Sequence, residues 1–239
     1  MTWKVSIIGN THDLEELKRS LSSSIGFSIT KGEDGYYLEY EQFSACRSDK
    51  EVLQLSSKVL AILNGATRLA LGGNSVITES GVLQEHENGT STFNMHVSET
   101  INIRDSFSLK IQDSDGNIVE EIYPADEVPV WVSLGLKDDV VEKVFRLFGL
   151  QHDWVNLYRI YEVIEQDAGG INAIANNNWA TKSSQKSFKH TACSPGAIGD
   201  DARHGTETSA PPQKPMLLSE ARALIETLVH HWIRTKQSV

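Results

Sequence analysis

The apolar residues of this chain change their period partway along. Up to about residue 122 they recur mainly at every second position; beyond Pro129 they recur at three and four. A period of two marks a strand with one buried face, and a period near 3.6 marks an amphipathic helix. A chain that uses one and then the other is constrained to an α+β arrangement. The expectation is a mainly antiparallel sheet with two helices, followed by an antiparallel helical bundle. The acidic stretch Pro124–Pro129 (PADEVP) is bounded by prolines and lies at the change. It is the expected joint, over 124–130, between modules spanning 1–123 and 131–239.

In the first module, WKVSIIG (Trp3 to Gly9) reads as a strand. Thr11 or Asp13 can cap a helix through about Ser23, with Leu14, Leu17 and Leu21 on one stripe. A short strand is expected over Phe27–Thr30. After the turn Glu33-Asp34-Gly35, Tyr36 to Phe43 alternates, with Tyr36, Leu38 and Tyr40 on one face. Asp49 starts a second helix, which Asn64-Gly65 is expected to stop after Leu63. Five extended segments follow, at 67–71, 75–85, 92–103, 106–112 and 117–122. Their turns are Gly72-Gly73, Glu87-Asn88-Gly89 and Asp113 to Gly116. There is no phosphate-binding glycine loop and no nucleophile elbow. The Gly9-Asn10-Thr11 turn could hold an anion, but Asp13, Glu15 and Glu16 crowd it with negative charge. It reads as a plain capped turn.

In the second module, Asp138 or Asp139 caps a helix through Phe148, and Gly149 ends it. Asp153 caps the next, where Trp154, Leu157, Tyr158, Tyr161 and Ile164 form a broad apolar face. A weaker helix is expected over Ala173–Lys189 and a strong one over Leu218–Thr235. Between them, 193–215 has no apolar period. Structureless loops beyond about 12–15 residues are uncommon in compact domains, and are often functional.

Charge narrows the partners. Residues 1–130 carry 10 Lys and Arg against 20 Asp and Glu, a net of −10; residues 131–239 carry 12 against 12. An acidic module repels phosphate backbones, so any RNA contact is expected through the second half alone. No run of 18 apolar residues occurs, so no membrane span is expected. The opening MTWKVSIIGN lacks the order of a signal peptide, and the cytoplasm is the expected compartment. Cys46 and Cys193 lie far apart and are expected to be reduced.

The order of DWVNLYRIYEVIE, then a loop with ARHG, then PMLLSEARALIETLVHHWI resembles the HEPN superfamily of small helical bundles over about residues 135–236. That resemblance implies a bundle that dimerises, and a bacterial role in mobile-element or phage conflict. HEPN ribonucleases carry an Arg, four to six residues, then a His. Here Arg203 is followed directly by His204, and the literal spacing occurs only from Arg146 to His152.

The candidate chemistry gathers in and beside the long loop. His190, Cys193 and His204 could converge on zinc, but one short pair and a distant histidine fall short of two paired motifs. The reading is therefore no metal and no cofactor. Cys193 as a nucleophile would need a base and an orienting group. His204 could serve as general acid–base with Arg203 holding an anion, and Asp200, Asp201 and His190 as binding residues. The plainer reading pairs Asp200 or Asp201 with Arg203 to pin the loop. His230-His231 cannot share one helical face. The first expectation is a non-catalytic interaction or sensing protein, with a protein partner or self-association. The alternative is a HEPN-like enzyme acting on RNA or a nucleotide through Arg203 and His204.

Overall fold

A computed structural model describes residues 2–21, 26–73, 75–86, 90–95, 109–112 and 118–237. The chain forms two compact units, Met1–Leu136 and Lys137–Val239. It is α+β, and among the described residues the strands are confined to the first unit. Among the described residues no helix is long and apolar enough to cross a membrane.

The first unit is built on a five-stranded antiparallel sheet of order β2-β3-β1-β4-β5. Its strands are β1 (Thr2–Ile8), β2 (Phe27–Gly32), β3 (Gly35–Tyr40), β4 (Thr78–Glu85) and β5 (Ser91–Met95). Alternation sorts the two faces. Trp3, Val5, Ile7, Phe27, Ile29, Tyr36, Leu38, Tyr40 and Val82 are buried. They form the core with Leu14 and Leu17 of α1 (Thr11–Ser20) and Val52, Val59, Leu60 and Leu63 of α2 (Asp49–Leu71). Two further strands, β6 (Leu109–Gln112) and β7 (Ile118–Ile122), pair antiparallel with each other. The expected turns at 87–89 and 113–116, and positions 96–108 of the expected strands, lie outside the described residues.

Several local expectations are corrected by tertiary partners. The cap of α1 is Asn10, whose side chain accepts from His12 N at 2.9 Å and Asp13 N at 3.2 Å. Asp13 is buried instead and takes the Ser75 hydroxyl. Asn64-Gly65 does not stop α2, which continues to Leu71 through residues expected to be extended. Asn64 serves a strand rather than a helix end: its amide donates to the Ile77 carbonyl at 2.9 Å and its oxygen accepts Ile77 N–H at 2.7 Å. The stop is Gly72, at φ 68, a conformation that favours glycine.

The expected joint at 124–130 falls inside the first unit. A 3-10 turn over Pro124–Glu127 leads into α3 (Val128–Gly135). Val128, Trp131 and Val132 are buried, and Arg19 reaches Asp126 at 2.9 Å. A side chain on Gly135 would lie 2.8 Å from Ile62, so helix α3 approaches α2 closely. Burying two valines and a tryptophan outweighs the turn-forming composition of the preceding segment.

The second unit contains α4 (Asp139–Phe148), α5 (Trp154–Ala168), α6 (Ile171–Asn176), α7 (Lys182–Ala192), α8 (Pro195–Ile198) and α9 (Leu218–Gln237). The single helix expected over Ala173–Lys189 is two. Asn178 takes φ 57, and Thr181 caps α7 afresh by accepting Ser184 N at 3.1 Å. Phe145, Phe148, Leu157, Tyr161, Phe188, Ile225, Leu228 and Trp232 fill the core. The Trp232 indole N–H donates to Asp167 at 2.8 Å.

Asp138 caps α4 through Val140 N at 2.8 Å and Val141 N at 3.2 Å, and Lys236 of α9 stands 3.4 Å from it. Burial works against charge on Asp138. The Val141 and Val140 N–H groups and Lys236 outweigh it, and hold the carboxyl below its ordinary value. A carboxyl depressed on folding contributes stability above its unfolded pKa and loses it as pH falls through the folded value. Acid titration of the full chain should show that loss below the ordinary aspartate range. Asp138→Asn keeps a capping oxygen and should flatten this part of the profile. Equal acid slopes in the two proteins would exclude Asp138 as a contributor.

Candidate functional site

The segment 193–215 is fastened at several points. Arg203 N–H donates to the Ala192 carbonyl at 2.8 Å, at the end of α7. Its guanidinium meets Glu162 of α5 at 3.0 Å and lies 4.3 Å from the Tyr158 ring centre. Glu207 accepts the Ser194 hydroxyl at 2.7 Å and Gly196 N–H at 2.6 Å. Met216 N–H donates to Thr191 Oγ1 at 3.0 Å. His190 Nε2 is 2.9 Å from the Ala210 carbonyl. A carbonyl only accepts, so Nε2 carries the proton in that contact.

These contacts place the expected site residues. Asp200 and Asp201 lie exposed in a 3-10 turn, and Arg203 pairs with neither. Glu162 and Tyr158 are one turn apart on α5, so together they offer Arg203 a carboxylate and an aromatic face. Asp200 and Asp201 offer only solvated carboxylates. His204 is exposed beyond the clamp. The Tyr158 hydroxyl faces Cys193, and burial followed by that thiol pushes the phenol up to about 12. The shift favours the neutral phenol, which can donate a hydrogen bond. Among the described residues, no group of three or more His, Cys, Asp or Glu is arranged to hold a metal ion.

Arg146 and His152, which have the literal HEPN spacing, serve a helix junction. Arg146 pairs with Glu142 at 3.1 Å. His152 is buried, with Nε2 2.8 Å from the Phe148 carbonyl, and its own carbonyl accepts from Arg222 at 3.0 Å.

A different feature lies on the first unit. The face of the sheet opposite the core carries Ser6, Ile8, Tyr37, Leu83 and Phe93, which with Asp34 line a cleft of about 720 Å³. Ile8 is 50% exposed and Phe93 45%. The Phe93 ring lies against Gly81, where an added Cβ would fall 2.6 Å from it. Across the same face, Lys4 stands between Glu39 at 3.4 Å and Glu85 at 3.0 Å. This surface was absent from the sequence-based candidates, yet period two held its signal. Ile8 and Tyr37 have the opposite parity to the buried Ile7 and Tyr36.

No family model, no curated protein and no solved structure matches this chain.

Proposed function

We propose that this protein is a non-catalytic interaction or sensing protein whose first unit recognises a protein partner through the open face of its sheet. The observation that carries this reading is the 720 Å³ cleft with Ile8 and Phe93 half exposed at its surface. Ligand clefts join an apolar lining to a few polar groups, as this one does with Ser6 and Asp34. The partner's chemistry follows from charge. Residues 1–130 carry a net of −10, so the fitting segment sets an apolar or aromatic anchor beside Lys or Arg.

Selection of peptides from a random displayed library on the immobilised full chain tests this. Enriched peptides should combine apolar anchors with basic residues, and lose binding to Ile8→Asp and Tyr37→Ser variants. Enrichment indifferent to both substitutions would place recognition elsewhere.

The HEPN-like order of the helices supports self-association of the second unit and a part in bacterial mobile-element or phage conflict, and a cytoplasmic setting goes with that role. Catalysis on RNA or a nucleotide by Arg203 and His204 has weaker support. Arg203, the cation next to His204 in the chain, is committed to Glu162 and Tyr158.

A further inference from the structure

We propose that the groove between α4 and α5 binds a small phosphorylated molecule. This inference is independent of the partner surface on the first unit. The groove encloses about 730 Å³, and its lining includes Lys143 and Arg146 of α4 with Arg159, Glu162 and Glu165 of α5. Drug-sized and cofactor-sized ligands occupy sites of roughly 300–1,000 Å³.

The acids of the groove are already occupied. Glu165 holds Lys189 at 3.1 Å, and Glu162 holds Arg203 at 3.0 Å. Arg146 is matched by Glu142 through its Nε at 3.1 Å. The side chains of Arg159 and Lys143 make no hydrogen bond or ion pair among the described residues. With the ion-pair partners Glu142, Lys189 and Arg203 counted beside the lining, the groove keeps two positive charges in excess. Arg159 is exposed, so its guanidinium can present paired N–H donors to a phosphoryl group.

The identity of the acid that Arg203 holds strengthens the case. Glu162 follows Arg159 by three residues on one helix, a spacing at which opposite charges normally pair. Arg203 reaches across from the loop and takes that carboxylate. The loop thereby keeps Arg159 available. A phosphate monoester carries about −1.5 to −2 at neutral pH, close to the excess in the groove. The charge is also local: the second half is balanced overall and the first is at −10. A nucleic-acid backbone needs a continuous basic track. One doubly charged groove suits a compact ligand.

The test is titration of the isotopically labelled full chain by NMR, with inorganic phosphate and with AMP at millimolar concentrations. Amides of 143–147 and 159–166 should shift saturably. Losing a charge-assisted hydrogen bond of about 1.5–3 kcal/mol should weaken binding about tenfold or more in Arg159→Ala. Arg159→Lys should recover part of it. Arg203→Ala should also weaken binding, because Glu162 is then released to Arg159. Tighter binding of AMP than of phosphate would identify a nucleotide as the source; equal binding would identify the phosphoryl group alone. The proposal is overturned if shifts spread over the surface, if Lys186→Ala weakens binding as much as Arg159→Ala, or if sulfate competes equally, the mark of an adventitious ion only. Tight binding of a single-stranded RNA that ignores Arg159→Ala would overturn it as well.

Discussion

Phe188→Ala should lower the thermal midpoint of the second unit by about 15–30 °C, from a cost of ~3–5 kcal/mol. Phe188 is fully buried, and its ring centre lies 5.5 Å from Tyr161, 5.9 Å from Tyr158 and 6.2 Å from Trp154. Truncation removes the one ring from α7 that meets three rings of α5. Collapse is hindered because Tyr161 is held in place. Its hydroxyl donates to Gln185 at 2.9 Å, and the Gln185 amide donates to the carbonyls of Ala180 at 3.1 Å and Ile171 at 3.3 Å. Burial, with Glu165 beside it, pushes the Tyr161 phenol well up, so it stays a donor across the working pH range. Phe188→Leu keeps most of the volume and should cost far less. A midpoint change below about 5 °C in the alanine variant would show that α7 is not part of the cooperative core.

The second large effect is local. Arg203→Ala should speed amide exchange over 193–215 by about 5–30-fold while barely moving the thermal midpoint. The Arg203 and Glu162 side chains are 34% and 42% exposed, so the ion pair contributes only ~0–1 kcal/mol. Stacking on Tyr158 adds about 0.5–1 kcal/mol. Together they suit a clasp that keeps a loop shut without stabilising the whole unit. Arg203→Lys should restore part of the protection, since lysine can reach Glu162 but lacks the planar stack. Unchanged exchange in Arg203→Ala would leave Glu207, His190 and Met216 as sufficient fasteners.

What could be read from the sequence divides along the range of the interaction. Asp153, and Asp138 as one of two alternatives with Asp139, were legible as caps because each bonds an N–H two or three residues away. The α+β succession was legible because burial writes its period directly into the residue order. The end of α2 was not. Asn64-Gly65 has the composition of a stop, and only the bond to Ile77, thirteen residues on, shows why it is a passage. The boundary failed for a similar reason: PADEVP looks like a linker until Trp131 is seen to be buried. In the loop, Arg203 was recognisable as a fastener. Its partner Glu162 lies 41 residues earlier, beyond any local pattern, and the nearer Asp200 and Asp201 were false leads. The open sheet face was present in the alternation, but an outward Ile8 on a strand is ordinary until neighbouring strands bring Tyr37, Leu83 and Phe93 beside it.

Of the five strands, the one that comes first in chain order is also the middle of the sheet. β1 pairs with β3 on one side, Val5 opposite Leu38, and with β4 on the other, Thr2 opposite Glu85 and Ile8 opposite Thr78. On a ribosome, β1 therefore emerges long before its second neighbour exists. A polymer whose central strand comes first must keep one unpaired edge through most of a unit's synthesis. Unpaired edges are the places where chains join one another wrongly. For as long as β4 is missing, the backbone donors and acceptors along that side of β1 have only water or another chain to satisfy them.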